Sequence, residues 1–125
     1  MKYVKWITHK NKEILFMDAA ETSAADGMVA WEEMRQELLK ERDVRLILID
    51  GTNAKMDKGT LQKAKGVVDV SKKKPGTPVA CVGMSDGFQK TMAQLMATRL
   101  RLNARFCSTL EEGKEWLVAE DERHR

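Results

Sequence analysis

Val44-Arg45-Leu46-Ile47-Leu48-Ile49-Asp50-Gly51-Thr52-Asn53 decides the fold. Leu46 to Ile49 are four consecutive large aliphatics. Both faces of an extended segment are then apolar, as in a central strand covered by helices on each side. Such a strand reads as parallel, and in open α/β sheets the binding loops lie beyond the strands' carboxyl ends. Here that end is Asp50-Gly51-Thr52-Asn53, polar and turn-forming.

Upstream, residues 3–8 alternate with period two, Lys10-Asn11-Lys12 makes a polar turn, and Glu13 to Met17 is a second strand. So short a link predicts an antiparallel hairpin. Ser23-Ala24-Ala25-Asp26 has capping-box spacing. Ala24, Met28, Trp31, Met34 and Leu38 then recur at helical intervals, with Glu32, Glu33, Gln36 and Lys40 turned outward. Downstream, Asp57 or Thr60 caps a helix carrying Leu61, Ala64, Val67, Val68 and Ser71. Pro75-Gly76-Thr77-Pro78 stops it and launches a strand over Val79 to Gly83. Ser85 caps a third helix with Phe88, Met92, Leu95 and Met96 on one stripe and Arg99 at its end. Asn103 to Cys107 is a last short strand. Ser108 or Thr109, each with a Glu three residues on, starts a final helix.

The order β-β-α-β-α-β-α-β-α predicts a single-domain α/β fold. Its mixed, mostly parallel sheet has about five strands, the first an antiparallel edge, with about four helices. Residues 1–119 make the domain, and 120–125 a charged, frayed tail.

A chain of 125 residues is long enough to bury a core without disulfides or metal. The net charge of +3 is too small to argue for nucleic acid, and Lys72-Lys73-Lys74 reads as a solvated helix end. Cys81 and Cys107 lie in apolar strand contexts and read as buried free thiols, which suit a reducing compartment. The amino terminus lacks a signal peptide's apolar run, and no stretch is long enough to span a membrane, so the cytoplasm is expected.

Motifs of a reaction class are missing. Gly83-Met84-Ser85-Asp86-Gly87 is not followed by Lys-Ser or Lys-Thr, and no G-x-G-x-x-G follows a strand, so no nucleotide cofactor is expected. The first strand's end lacks the acidic pair of a receiver domain. His9 and His124 have no partner at ligand spacing, so no metal is expected either. Ser85 has no His in a triad-like context. Asp18, Asp50, Asp57 and Asp86 fall at strand ends and helix starts, where capping and turn-making account for each.

Arg45 to Gly51 with Met56-Asp57-Lys58-Gly59, the ending Ala104 to Leu117, and the opening Trp6 to Leu15 together resemble the STAS superfamily. The likeness is greatest to its small stand-alone SpoIIAA-like members, sometimes grouped with SEC14-type lipid-binding folds. The resemblance implies a mixed sheet with packed helices and a non-enzymatic regulatory role. It also implies a Ser-phosphorylation loop at the start of the second helix. That loop maps to Asp57-Lys58-Gly59, where Lys58 and Gly59 replace the hydroxyls and the spacing to Gly is one shorter. Thr60 is the only nearby hydroxyl.

The functional expectation is a cytoplasmic protein-interaction module without the usual phospho-switch. Its site is a rim made of Asp50, Gly51, Thr52, Asn53, Asp57, Lys58, Gly59, Gly83, Met84, Ser85 and Asp86. It engages a protein partner, and homodimerisation is compatible with this reading. The alternative is a small-ligand or lipid-binding domain with an apolar groove of Met56, Met84 and Phe88.

Overall fold

The structure, a computed structural model, describes residues 1–71, 76–87, 90 and 103–123. Five strands form one sheet: β1 (Val4–His9), β2 (Lys12–Asp18), β3 (Ile47–Asp50), β4 (Pro78–Val82) and β5 (Asn103–Cys107). Their spatial order follows the chain, β1-β2-β3-β4-β5. β1 runs antiparallel to β2, with Val4 opposite Met17 and His9 opposite Lys12. All later pairs are parallel. The hairpin turns on Lys10 and Asn11, both in the left-handed region at φ 51° and 65°. Two such residues are what a tight turn needs to match the strands' twist. Pro78 is the first residue of β4, where its missing N–H breaks nothing inside the ladder.

The helices among the described residues are α1 (Ala24–Leu39), α2 (Lys58–Ser71) and α3 (Leu110–Arg123). The helix expected from Ser85 to Arg99 lies outside the described residues for most of its length; Asp86, Gly87 and Lys90 have helical backbone. Because the sheet grows one way from β2 to β4, right-handed crossovers put α1 and α2 on the same face. Trp31, Met34, Ala64, Val67 and Val68 cover that face together with Leu15, Met17, Ile47, Ile49 and Cys81. α3 closes the other face, where Leu117 meets Ile14, Phe16, Leu46, Leu48, Ala80, Val82 and Cys107. The axial strand is therefore buried on both sides, with Ile47 and Ile49 facing one way and Leu46 and Leu48 the other.

Cys81 and Cys107 belong to opposite faces of the sheet, which keeps the two free thiols apart. Burial pushes the Cys81 thiol up to about 12. It raises that of Cys107 as well, with help from the negative charge of Glu112.

Several local expectations need correction. Asp57, not Thr60, caps α2: its Oδ1 accepts the Thr60 N–H at 2.9 Å, while Thr60 is wholly buried inside the helix. Of the two possible starts for α3, Thr109 prevails, its Oγ1 accepting the Glu112 N–H at 3.1 Å. Residues 120–123 are not a frayed tail. α3 continues to Arg123, and Asp121 meets Lys12 of β2 at 2.8 Å, both side chains largely shielded from water.

The buried side of α1 is also rotated from its expected phase. Gly27, Ala30, Trp31, Met34 and Glu37 face inward, and Met28 is only half-buried. Glu33, expected to point outward, accepts the Tyr3 and Val4 N–H groups at 2.8 and 3.2 Å. Glu37 accepts the Trp6 indole N–H at 3.0 Å. Lys40 and then Trp6 hold the Glu37 carboxyl below its ordinary range. The two glutamates satisfy donors of the edge strand that the sheet itself leaves unpaired.

Candidate functional site

The carboxyl ends of β2, β3 and β4 bring three loops together. Gly51 N–H donates to the Val82 carbonyl at 2.9 Å, carrying the sheet pattern one residue past β3, and Gly83 N–H donates to the Cys107 carbonyl at 3.3 Å. Gly83 then turns at φ +69°, and its α-carbon lies against Thr52 so closely that an added Cβ would overlap the Thr52 side chain. The β2–α1 loop joins from the other side: Ala19 N–H donates to Asp50 O and Glu21 N–H to Thr52 O. Asn53, another left-handed residue at φ 55°, donates its side-chain amide to Glu21 at 2.8 Å. Lys55 N–H donates to the Thr22 carbonyl at 3.0 Å, tying in the approach to α2.

The segments 50–53, 57–59 and 83–86 thus lie along one rim, linked through residues 19–22. Asn53, Asp57, Lys58, Ser85 and Asp86 are exposed there. Asp50 is buried, and Oδ1 of its carboxylate accepts both the Thr52 N–H at 3.0 Å and the Thr52 hydroxyl at 2.6 Å. Thr52 is accordingly engaged and half-buried rather than facing solvent. Asp57 is likewise committed, and the Thr60 N–H followed by the Thr60 hydroxyl holds its carboxyl below the ordinary range. Both carboxylates serve backbone geometry, as the sequence reading of capping and turn-making expects.

Met84 is buried in the larger core cluster, with its Cγ 3.2 Å from where a Gly51 Cβ would stand. It fills the interior rather than lining a groove open to solvent. Met56 is half-buried, and Phe88 lies outside the described residues. An apolar groove does exist next to the rim. Met1, Ala25, Met28 and Val29 line a shallow depression of about 540 Å³, bordered by Glu32, Glu33, Gln36 and Lys63. Val29 is 49% exposed and Met1 62%. Met28 links the groove to the start of α2, since its sulfur would lie 3.1 Å from a Cβ on Gly59. Sequence periodicity assigns Met28 and Ala25 to a helix but does not show that α1's rotation leaves them at the surface.

Thr60 lies directly beneath this junction. Its hydroxyl is within hydrogen-bond distance of Asp57 Oδ1 at 2.9 Å and the Ala24 carbonyl at 3.2 Å. Among the described residues no metal-ligating group forms at the rim. Among the described residues the group able to meet at one point is His9, Glu111 and Glu115, beside the β1–β2 turn. His9, which has no partner at ligand spacing along the sequence, is brought to Glu115, 106 residues away, by the fold. Among the described residues no helix is long and apolar enough to cross a membrane.

No family model matches the sequence, and no curated protein matches it. The structure is similar to that of an uncharacterized Shewanella loihica PV-4 protein from the DUF3478 family with a SpoIIAA-like fold. The TM-score is 0.60 at 15% identity, covering 91% of each chain. A likeness at that identity is one of fold: the chain has a SpoIIAA-like α/β fold, as the STAS-type resemblance of the sequence implies.

Proposed function

We propose that this domain is a non-enzymatic cytoplasmic interaction module that docks a protein partner over the rim and the start of α2, without the Ser phospho-switch that the STAS resemblance implies. One observation carries the reading. At the position of the phosphorylation loop the chain offers Lys58 and Gly59, and the one neighbouring hydroxyl, Thr60, is wholly buried and hydrogen-bonded. With no exposed surface and its hydroxyl within hydrogen-bond distance of Asp57 and the Ala24 carbonyl, Thr60 offers a kinase no accessible acceptor in the folded chain. Lys58 supplies a permanent positive charge where a switched protein gains a negative one.

The rest of the rim supports docking rather than turnover. Oδ1 of Asp50 and of Asp57 each accepts a backbone N–H and lies within hydrogen-bond distance of a hydroxyl, an arrangement that shapes the loops. A loop set cross-braced by backbone hydrogen bonds is pre-organised, which lowers the ordering cost of association. The apolar groove favours the alternative reading, a small apolar ligand, at Met1, Ala25, Met28 and Val29 rather than at Met56, Met84 and Phe88.

Affinity capture from the protein's own cell, with Lys58→Glu and Val29→Asp compared with wild type, tests the proposal. A polypeptide retained by wild type and lost with Lys58→Glu supports it. A partner retained equally by Lys58→Glu, or loss of a small molecule alone with Val29→Asp, counts against it.

A further inference from the structure

We propose that His9, Glu111 and Glu115 form a binding site for a borderline divalent cation of the Zn²⁺ class, which fastens the edge hairpin to α3. One candidate ligand atom from each of the three side chains lies within 4.8 Å of the other two. His9 Nε2 and Glu115 Oε1 are 3.2 Å apart. With metal–ligand bonds of about 2.0–2.1 Å, the edge of a tetrahedron is about 3.3 Å, so two ligands already have the required separation. Glu111 is the third, one helical turn before Glu115 on the same side of α3. Its long, exposed side chain needs a rotamer change to close the triangle, and water completes the fourth position.

The donors sit on fixed elements. His9 ends β1 just before the left-handed pair Lys10-Asn11, and is paired in register with Lys12. α3 is held close to the sheet by Gly113, midway between the two glutamates. A Cβ there would be 3.0 Å from Leu48 Cδ1 and 3.2 Å from Val82 Cγ2. Lys10 donates to Glu115 Oε2 at 2.6 Å, leaving Oε1 directed at His9. A ligating carboxylate with its second oxygen hydrogen-bonded is the usual supporting arrangement around a metal. Lys114 lies 3.6 Å from Glu111.

One imidazole with two carboxylates suits Zn²⁺ or Co²⁺ better than hard Ca²⁺, Mg²⁺ or Mn²⁺. Binding requires the tautomer with its proton on Nδ1, so that the Nε2 lone pair faces the metal. The simpler alternative is an ordinary His9–Glu115–Lys10 hydrogen-bonded cluster with no metal.

Isothermal titration of the purified chain with Zn²⁺ alone separates the two. The expected result is one ion per chain, with affinity reduced at least about tenfold in His9→Ala and in Glu111→Gln. His124→Ala, which removes the only other histidine, should leave the affinity at the wild-type level. Zn²⁺ should raise the melting temperature of wild type and not of His9→Ala. Glu111→Gln is the safer variant, since Glu111 is 72% exposed. Absence of binding, equal affinity in Glu111→Gln and wild type, or dependence on His124 would each overturn the site.

Discussion

Replacing Gly83 by Ala attacks the junction that makes the rim one surface. Gly83 has φ +69°, a conformation that costs an L residue about 1–2 kcal/mol. The new methyl would also overlap Thr52 Oγ1 and stand 2.9 Å from Thr52 Cβ and 3.0 Å from its Cα. Relief by rotating Thr52 forfeits its hydroxyl bond to Asp50. Relief by moving backbone disturbs the Gly83 N–H bond to Cys107. Overpacking of this kind costs about 1–3 kcal/mol. The sum, about 2–5 kcal/mol, is a large fraction of the roughly 5–15 kcal/mol available to a domain. Urea unfolding should show a lower midpoint at unchanged slope. Thr52→Gly removes most of the obstruction, so Gly83→Ala should cost about 1–3 kcal/mol less in the Thr52→Gly background, the strained backbone term remaining. A loss below about 0.5 kcal/mol, or perfect additivity of the two changes, would refute the contact between the loops.

Asp introduced at either Ile47 or Leu48 should cost more than about 4 kcal/mol, because each buries an unpaired carboxylate on a different face of β3; an unchanged melting temperature for either variant would mean an open face. Cys81, with its thiol pushed up to about 12, should label with thiol reagents only slowly in native protein and quickly once unfolded, as followed by mass spectrometry. Asp57 has a folded pKa below its unfolded one, so its contribution to stability is full above about pH 4 and fades as pH falls through the folded value. Asp57→Ala should therefore be less stable than wild type at neutral pH, with the gap closing in acid unfolding curves.

The axis of the fold is legible in Leu46 to Ile49 because unbroken aliphatic character has few other uses in so short a segment. The hairpin, the edge position of β1 and the parallel order follow from link lengths and crossover handedness. What escapes sequence reading is mostly polar burial. Glu33 looks like part of a solvent face until the Tyr3 and Val4 N–H groups are placed beside it, and nothing in the sequence brings Glu37 to the Trp6 indole. Residues 120–123 look like a tail because their partner, Lys12, is more than a hundred positions away. His9 looks isolated for the same reason. Asp57 and Thr60 are equally good caps by composition, and only the approach of α1, with the Ala24 carbonyl over Thr60, decides between them. At the rim, chain order predicts that the loops share one end of the sheet, but not that Asp50 and Thr52 are occupied with each other, nor that Met84 turns inward against Gly51.

The proposed role has the rim and the start of α2 dock a protein without turnover or phosphorylation. Native mass spectrometry of the chain isolated from its own cell tests it most directly. The expected spectrum shows an unphosphorylated chain in a stoichiometric complex with a second polypeptide, and loss of that complex with Lys58→Glu. A chain carrying phosphate on Thr60, or one whose sole companion is a small molecule retained by Lys58→Glu, would contradict it.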